Sequence, residues 1–266
     1  MSILREQKKV VAQLSELAGI QLDSFMNESR TWLAANAIPL SRRDTDHESI
    51  FYVATPVPVA PIHLALSAAQ CIHTVATAFD YLAWGLVDES ARRTKPKSVC
   101  MPWVSDAGKW SQSRKNALPG ISDENAAIVE YWQPFAFSKR TGKPADSYAM
   151  VYMRNIDNAA KHRAPHLLEV VLRDAFIVPM HVAHLADSVP PVPTFPPVQR
   201  ETAFHMPLSV PASFAPHLDL DFVISPVGGT EESVRMGAPG GLALDQFARL
   251  IGDLREEVDA ITQAVV

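Results

Sequence analysis

Cysteine is scarce in this chain, with Cys71 and Cys100 the only two among 266 residues. Two thiols cannot supply a disulfide framework or a four-thiolate zinc site, so a reducing, cytoplasmic setting is expected. No uninterrupted apolar run of about 18 residues occurs, which argues against a membrane span. The opening MSILREQKKVV has no apolar signal core behind its charges, which argues against secretion. The nucleophile elbow G-x-S-x-G, the P-loop and the dinucleotide fingerprint G-x-G-x-x-G are all missing, and the glycine pairs Gly228-Gly229 and Gly240-Gly241 read as turns. The helical metal spacings H-E-x-x-H and E-x-x-H are missing too.

What remains is an ordinary globular composition, 47% hydrophobic and 20% charged, long enough to bury a sizeable core. The net charge of −5 hides a regional contrast. Residues 91–163 carry 13 Lys and Arg against 6 Asp and Glu, while the rest of the chain carries 11 against 23. The basic residues cluster as Arg92, Arg93, Lys95 and Lys97, then Lys109, Arg114 and Lys115, then Lys139, Arg140 and Lys143. Such clusters suit RNA or another phosphate-bearing ligand; a solvated loop surface is the alternative. Trp103, Trp110, Tyr131, Trp132, Phe135 and Phe137 flank them, as bases to stack on or as core residues beneath a loop.

Hydrophobic periodicity predicts a helix over about 3–36, a break at Ile38-Pro39 running through SRRDTDHES, and an edge strand or extended arm in IFYVATPVPV (50–59). A central helix begins near Pro61 and runs to about Ser90, apolar around most of its circumference. Residues 91–120 read mostly as loop. Ser122 or Asp123 caps a short helix that Pro134 ends, and another helix covers about 145–163. The segments HLLEVVLRDAFIVP, ETAFHMPLSV and PHLDLDFVISP read as antiparallel strands, with SVPPVPTFPPVQ a stiff connector or a ligand for polyproline-reading domains. In the last helix Leu244, Phe247, Ile251, Leu254, Val258, Ile261 and Val265 form a heptad seam, which packs on the N-terminal helices or makes a homodimer. The expected fold is α+β: one domain over 1–266, a long-helix bundle with a small antiparallel sheet at 165–226 between the central helices and the helix of 242–266.

Two runs carry chemistry. In MRNIDNAAKHRAPH, Arg154, Asp157, Asn158 and Lys161 fall three or four residues apart on one helix face, with His162 beside them. In AAQCIHTVATAFDYLAWGLV, His73 and Asp80 are two turns apart and interrupt an apolar segment. Buried polar groups need partners, so Asp80 is expected to pair with Lys161, Arg154 or His162, and His73 with Asp157. Such a network can specify helix packing alone, or it can form a site in a bundle core. A metal-dependent enzyme using His73, Asp80, Asp157 and His162 as ligands is a competing reading. His181 and His184 form an isolated surface pair. Cys71 reads as a small buried hydrophobe and Cys100, near basic residues, as the more reactive thiol.

The segment order over about 50–266 resembles a widespread family of bacterial proteins of uncharacterised activity, many of them actinobacterial. The matching elements are His73 with FDYLAW (79–84), MPW (101–103), YWQPF (131–135), DNAAKHR (157–163) and the closing helix after a Pro-Gly-Gly turn. Ala76 stands where that family usually has Arg, and Asn158-Ala-Ala separates Asp157 from Lys161. Arg154-Asn155 followed by His162 is also similar to the signature of HEPN helical ribonucleases, with wider spacing. That likeness implies metal-independent RNA cleavage without a cofactor, His162 acting as general base and Arg154 steadying phosphate charge, with Asn158 and Lys161 on the same face and His73, Asp80 and Asp157 in support. A non-catalytic dimeric module, held by the heptad seam, is the remaining alternative.

Overall fold

The computed structural model describes residues 3–46, 48–53, 58–163, 168–172, 203–207, 217–218, 220–224 and 242–266. The proline-rich connector of 188–199, His181, His184 and the two glycine pairs lie outside them. Helix α1 (Ile3–Ala35) is followed by strands β1 (Ile38–Asp44) and β2 (Glu48–Val53) and the central helix α2 (Ile62–Leu86). Four short helices follow: α3 (Glu89–Thr94), α4 (Trp110–Ala117), α5 (Asp123–Tyr131) and α6 (Pro134–Thr141). Then come α7 (Ala149–Arg163), β3 (Leu168–Leu172), β4 (Ala203–Pro207), β5 (His217–Leu218), β6 (Leu220–Ile224), β7 (Leu242–Ala243) and α8 (Leu244–Ala264). The architecture is an α+β helical bundle with small antiparallel sheets.

Helix α2 is the axis of the bundle. It packs on α1, α7 and α8, and Leu64, Ile72, Val75, Phe79 and Leu82 are fully buried. Burial on several sides follows from apolar residues around most of the helix circumference. Within the described residues α2 is the one helix long and apolar enough to cross a membrane by length and composition, half of its most apolar window being buried inside the chain. The expectation of no such segment is therefore corrected: His73 and Asp80 interrupt the apolar run but leave its average hydropathy high. A core helix meets the same criterion.

Helix α8 closes the bundle. Phe25 of α1 and Phe247 meet edge to face with ring centroids 5.5 Å apart, and Trp32 stacks on Phe222 of β6 at 5.2 Å. Leu244, Phe247, Ile251, Leu254, Val258, Ile261 and Val265 are all buried within the chain. The heptad seam is thus occupied by α1 and α2, which corrects its reading as a dimer surface. At the α1–α8 crossing, a Cβ on Gly19 would lie 2.5 Å from Arg255 Nη1, so the close approach requires glycine.

The sheets differ from expectation. Strands run β4-β2-β1-β5 in one sheet and β3-β6-β7 in another. The residues after the Ile38-Pro39 break form β1, and β2 lies between β1 and β4 instead of at an edge. The prolines that suggested an edge, Pro56 and Pro58, follow Val53. Pro39 is accommodated because the β1–β2 ladder covers Leu40–Asp44, while Pro39 pairs only with His217; its missing N–H affects the ladder at one end. Helices α3 and α4 lie where loop was expected. Asp88 caps α3, its Oδ1 accepting from Ala91 N at 2.6 Å. In α4 only Trp110 and Ala117 are buried, which leaves no readable amphipathic period.

Because Leu254 is fully buried, Leu254→Glu places a charge in the core. The expected result is loss of roughly 3–5 kcal/mol, or failure to fold. Urea melts and size-exclusion chromatography check this; a folded variant of unchanged stability and altered oligomeric state would contradict the packing described.

Candidate functional site

The two runs singled out in the sequence meet where α2 crosses α7. His73 lies on the open face of α2, and Asp157 of α7 is buried at 6% exposure. His73 Nδ1 and Asp157 Oδ1 are 2.9 Å apart, and Lys161 Nζ donates to Asp157 Oδ2 at 2.5 Å. Both carboxylate oxygens therefore have a partner, as a buried charge requires. With Nδ1–H donating to Asp157, His73 presents Nε2 as the acceptor nitrogen. About half of the His73 side chain is exposed, so this nitrogen is within reach of a ligand.

Asp80 lies two turns along α2, and its Oδ1 accepts the Met101 N–H at 3.0 Å. Desolvation pushes its pKa above the ordinary value and Asp157 adds to the rise; the Met101 N–H, Lys161 and His73 oppose it. Within the described residues it makes no ion pair. The expected pairing with Lys161 or Arg154 is thereby corrected: Asp157 holds Lys161, and a backbone donor satisfies Asp80. Arg154 is exposed and its Nη1 donates to the Trp103 carbonyl at 3.0 Å. Asn158 is exposed one turn further along α7. His162 falls in the last turn of α7, and its side chain lies outside the described residues.

The segment facing both helices is held in place by a residue that sequence reasoning did not nominate. Gln133 is completely buried; its Oε1 accepts the Val104 N–H at 3.0 Å and its Nε2 donates to Val129 O at 3.1 Å. Phe135 N donates to Val104 O at 3.2 Å, and Trp103 meets Phe79 edge to face at 5.0 Å. This clamp sets where the Met101 amide and Trp103 carbonyl point. A polar residue between Trp132 and Pro134 was the available signal.

Much of the basic cluster has structural duties. Arg92 donates to the Trp84 and Val87 carbonyls, capping the end of α2. Arg93 pairs with Glu89 and Arg114 with Asp123, while the Arg140 guanidinium lies 3.9 Å from the centre of the Tyr131 ring. Lys95, Lys97, Lys109, Lys115, Lys139 and Lys143 are exposed. Trp110 is buried, and Trp103, Trp132, Phe135 and Phe137 pack half-buried against the core. Cys71 is buried, which pushes its pKa up to about 12. Cys100 is exposed beside Asp80, and desolvation and that carboxylate raise its pKa, contrary to the reactive thiol expected. Among the described residues no group of three or more His, Cys, Asp or Glu is placed to hold a metal ion.

No family model, curated protein or solved structure matches the chain. The functional reading therefore rests on the side chains and their geometry.

Asp157→Ala leaves His73 and Lys161 without their shared partner and is expected to destabilise the fold by about 1–3 kcal/mol. Asp157→Asn, which keeps the shape and one acceptor, should cost less. Urea denaturation measures both, and coincident melts for wild type and Asp157→Ala would refute the bridging role.

Proposed function

We propose that the α2–α7 site is a general-base centre acting on RNA without a metal ion, in a bacterial cytoplasm. The observation that carries this reading is the His73–Asp157 pair at 2.9 Å, formed by a half-exposed imidazole and a buried carboxylate. Asp157 holds the imidazole in one tautomer and stabilises it once protonated, the role a carboxylate plays behind a catalytic histidine. Lys161 on the other oxygen keeps that carboxylate ionised. The resemblances to the bacterial family and to HEPN ribonucleases belong to the same reading, with the base moved from His162 to His73 because His73 has a defined orienting partner.

In the proposed step, His73 Nε2 removes the proton from a ribose 2′-hydroxyl. The 2′-oxygen attacks the adjacent phosphorus, the bond from phosphorus to the 5′-oxygen breaks, and the leaving oxygen takes a proton from water. The products are a 2′,3′-cyclic phosphate and a free 5′-hydroxyl. Arg154, Lys161 and Asn158 share the exposed side of α7 and supply charge and hydrogen bonds to the phosphate. The exposed lysines between 95 and 143 attract the remaining backbone.

The test is incubation of labelled single-stranded RNA with the protein in EDTA. Cleavage to cyclic-phosphate ends is expected, reduced about 100-fold or more by His73→Ala and also lowered by Arg154→Ala. Loss confined to His162→Ala would return the base to the end of α7. Cleavage only after a divalent metal is restored would favour the metal-dependent reading, and no cleavage in either condition would overturn the proposal.

A further inference from the structure

The N-terminal end of α7 borders a second cleft with different chemistry. About 540 Å3 in volume, it is lined on one side by Trp132, Phe137 and Tyr148 and on the other by Asp253, Glu256 and Glu257 of α8. Phe137 stacks on Tyr148 with centroids 4.6 Å apart and rings 12° from parallel. The Tyr148 hydroxyl donates to Glu257 Oε2 at 3.0 Å. Around Glu257 stand Tyr148 from α7, Arg140 from α6, and Asp253 and Glu256 from its own helix. Burial pushes the Glu257 pKa to about 7, with Asp253 adding to the rise and the Tyr148 hydrogen bond and Arg140 opposing it.

The charge in this cleft is incompletely balanced. Arg140 is committed to Tyr131, stacked over its ring and donating to its carbonyl. Within the described residues, Asp253, Glu256 and Glu257 make no ion pair. The three carboxylates stand at i, i+3 and i+4, so their Cβ atoms are about 5–6 Å apart. Nitrogens separated by three or four methylene groups lie about 5–6 Å apart along an extended chain. The opposite wall is aromatic and suits both the alkyl stem and the ammonium charge. The carboxylates are not placed to converge on one metal ion.

We infer that this cleft binds a linear polyamine, its ammonium groups on Asp253, Glu256 and Glu257 and its methylene stem along Trp132 and Phe137. The inference does not depend on the RNA reaction, since the residues involved are different.

Isothermal titration calorimetry of the full chain with spermidine tests it. Saturable one-to-one binding is expected at pH 8, weakened about tenfold by Glu257→Gln, the effect of losing one charge-assisted contact. Glu257→Gln retains an acceptor for Tyr148, and circular dichroism verifies its fold; Trp132→Ala should also weaken binding. Glu124→Gln, at an exposed carboxylate elsewhere, and His73→Ala should leave it unchanged. Lowering the pH to 6 protonates Glu257 and should reduce affinity, and binding near pH 7 should release a proton, seen as a heat that varies with the buffer. Absence of saturable binding, or equal weakening by Glu124→Gln and Glu257→Gln, would overturn the assignment.

Discussion

The structure is organised by the need to cover α2. A helix apolar around most of its circumference exposes too much hydrocarbon on its own, so it must be surrounded. Helices α1, α7 and α8 meet that need. The polar residues on α2 then fall where its cover is incomplete, and His73 and Asp80 mark that opening. Asp157 is the one charged residue in the described part of the core. It is tolerated there because α2 supplies an imidazole to one oxygen and α7 an ammonium to the other.

The same logic accounts for the segment over the opening. An irregular stretch beside a core must satisfy its own backbone groups, and at residues 101–104 side chains from three directions do so. Asp80 takes the Met101 amide, Gln133 the Val104 amide, and Arg154 reaches the Trp103 carbonyl. Polar residues that look available for chemistry therefore also hold the walls of the site. This double duty is why Arg154 and Asp80 need readouts of both stability and activity.

The closing helix is anchored at its far end by similar means. Asn125 exchanges two hydrogen bonds with the Val266 backbone, at 2.9 and 3.0 Å, and Lys8 Nζ donates to Val265 O at 2.6 Å. These contacts join the first, fifth and last helices. They hold α8 against α7, so the acidic face of α8 has a fixed aromatic wall opposite it.

Much of this was legible in the chain itself. The limits of α1 and α8, the Ser122 cap of α5 and the strand character of 168–172 and 220–224 follow from periodicity and local capping, which act over a few residues. The His73–Asp157 pair was legible too, because two polar residues in otherwise apolar helices require each other. The tertiary structure alone decided the rest. Strand β1 is polar and contains Pro39, so only pairing with β2 and β5 makes it a strand. The heptad seam has the same spacing whether its partner is α1 or a second chain, and packing chose α1. Lys161 was equally able to pair with Asp80 or Asp157. The choice fell to distance across a helix crossing, and Gln133 became a clamp only because folding brought residue 104 beside it. Local physics is written in neighbouring residues, whereas these pairings depend on contacts between residues far apart in sequence, which spacing along the chain does not specify.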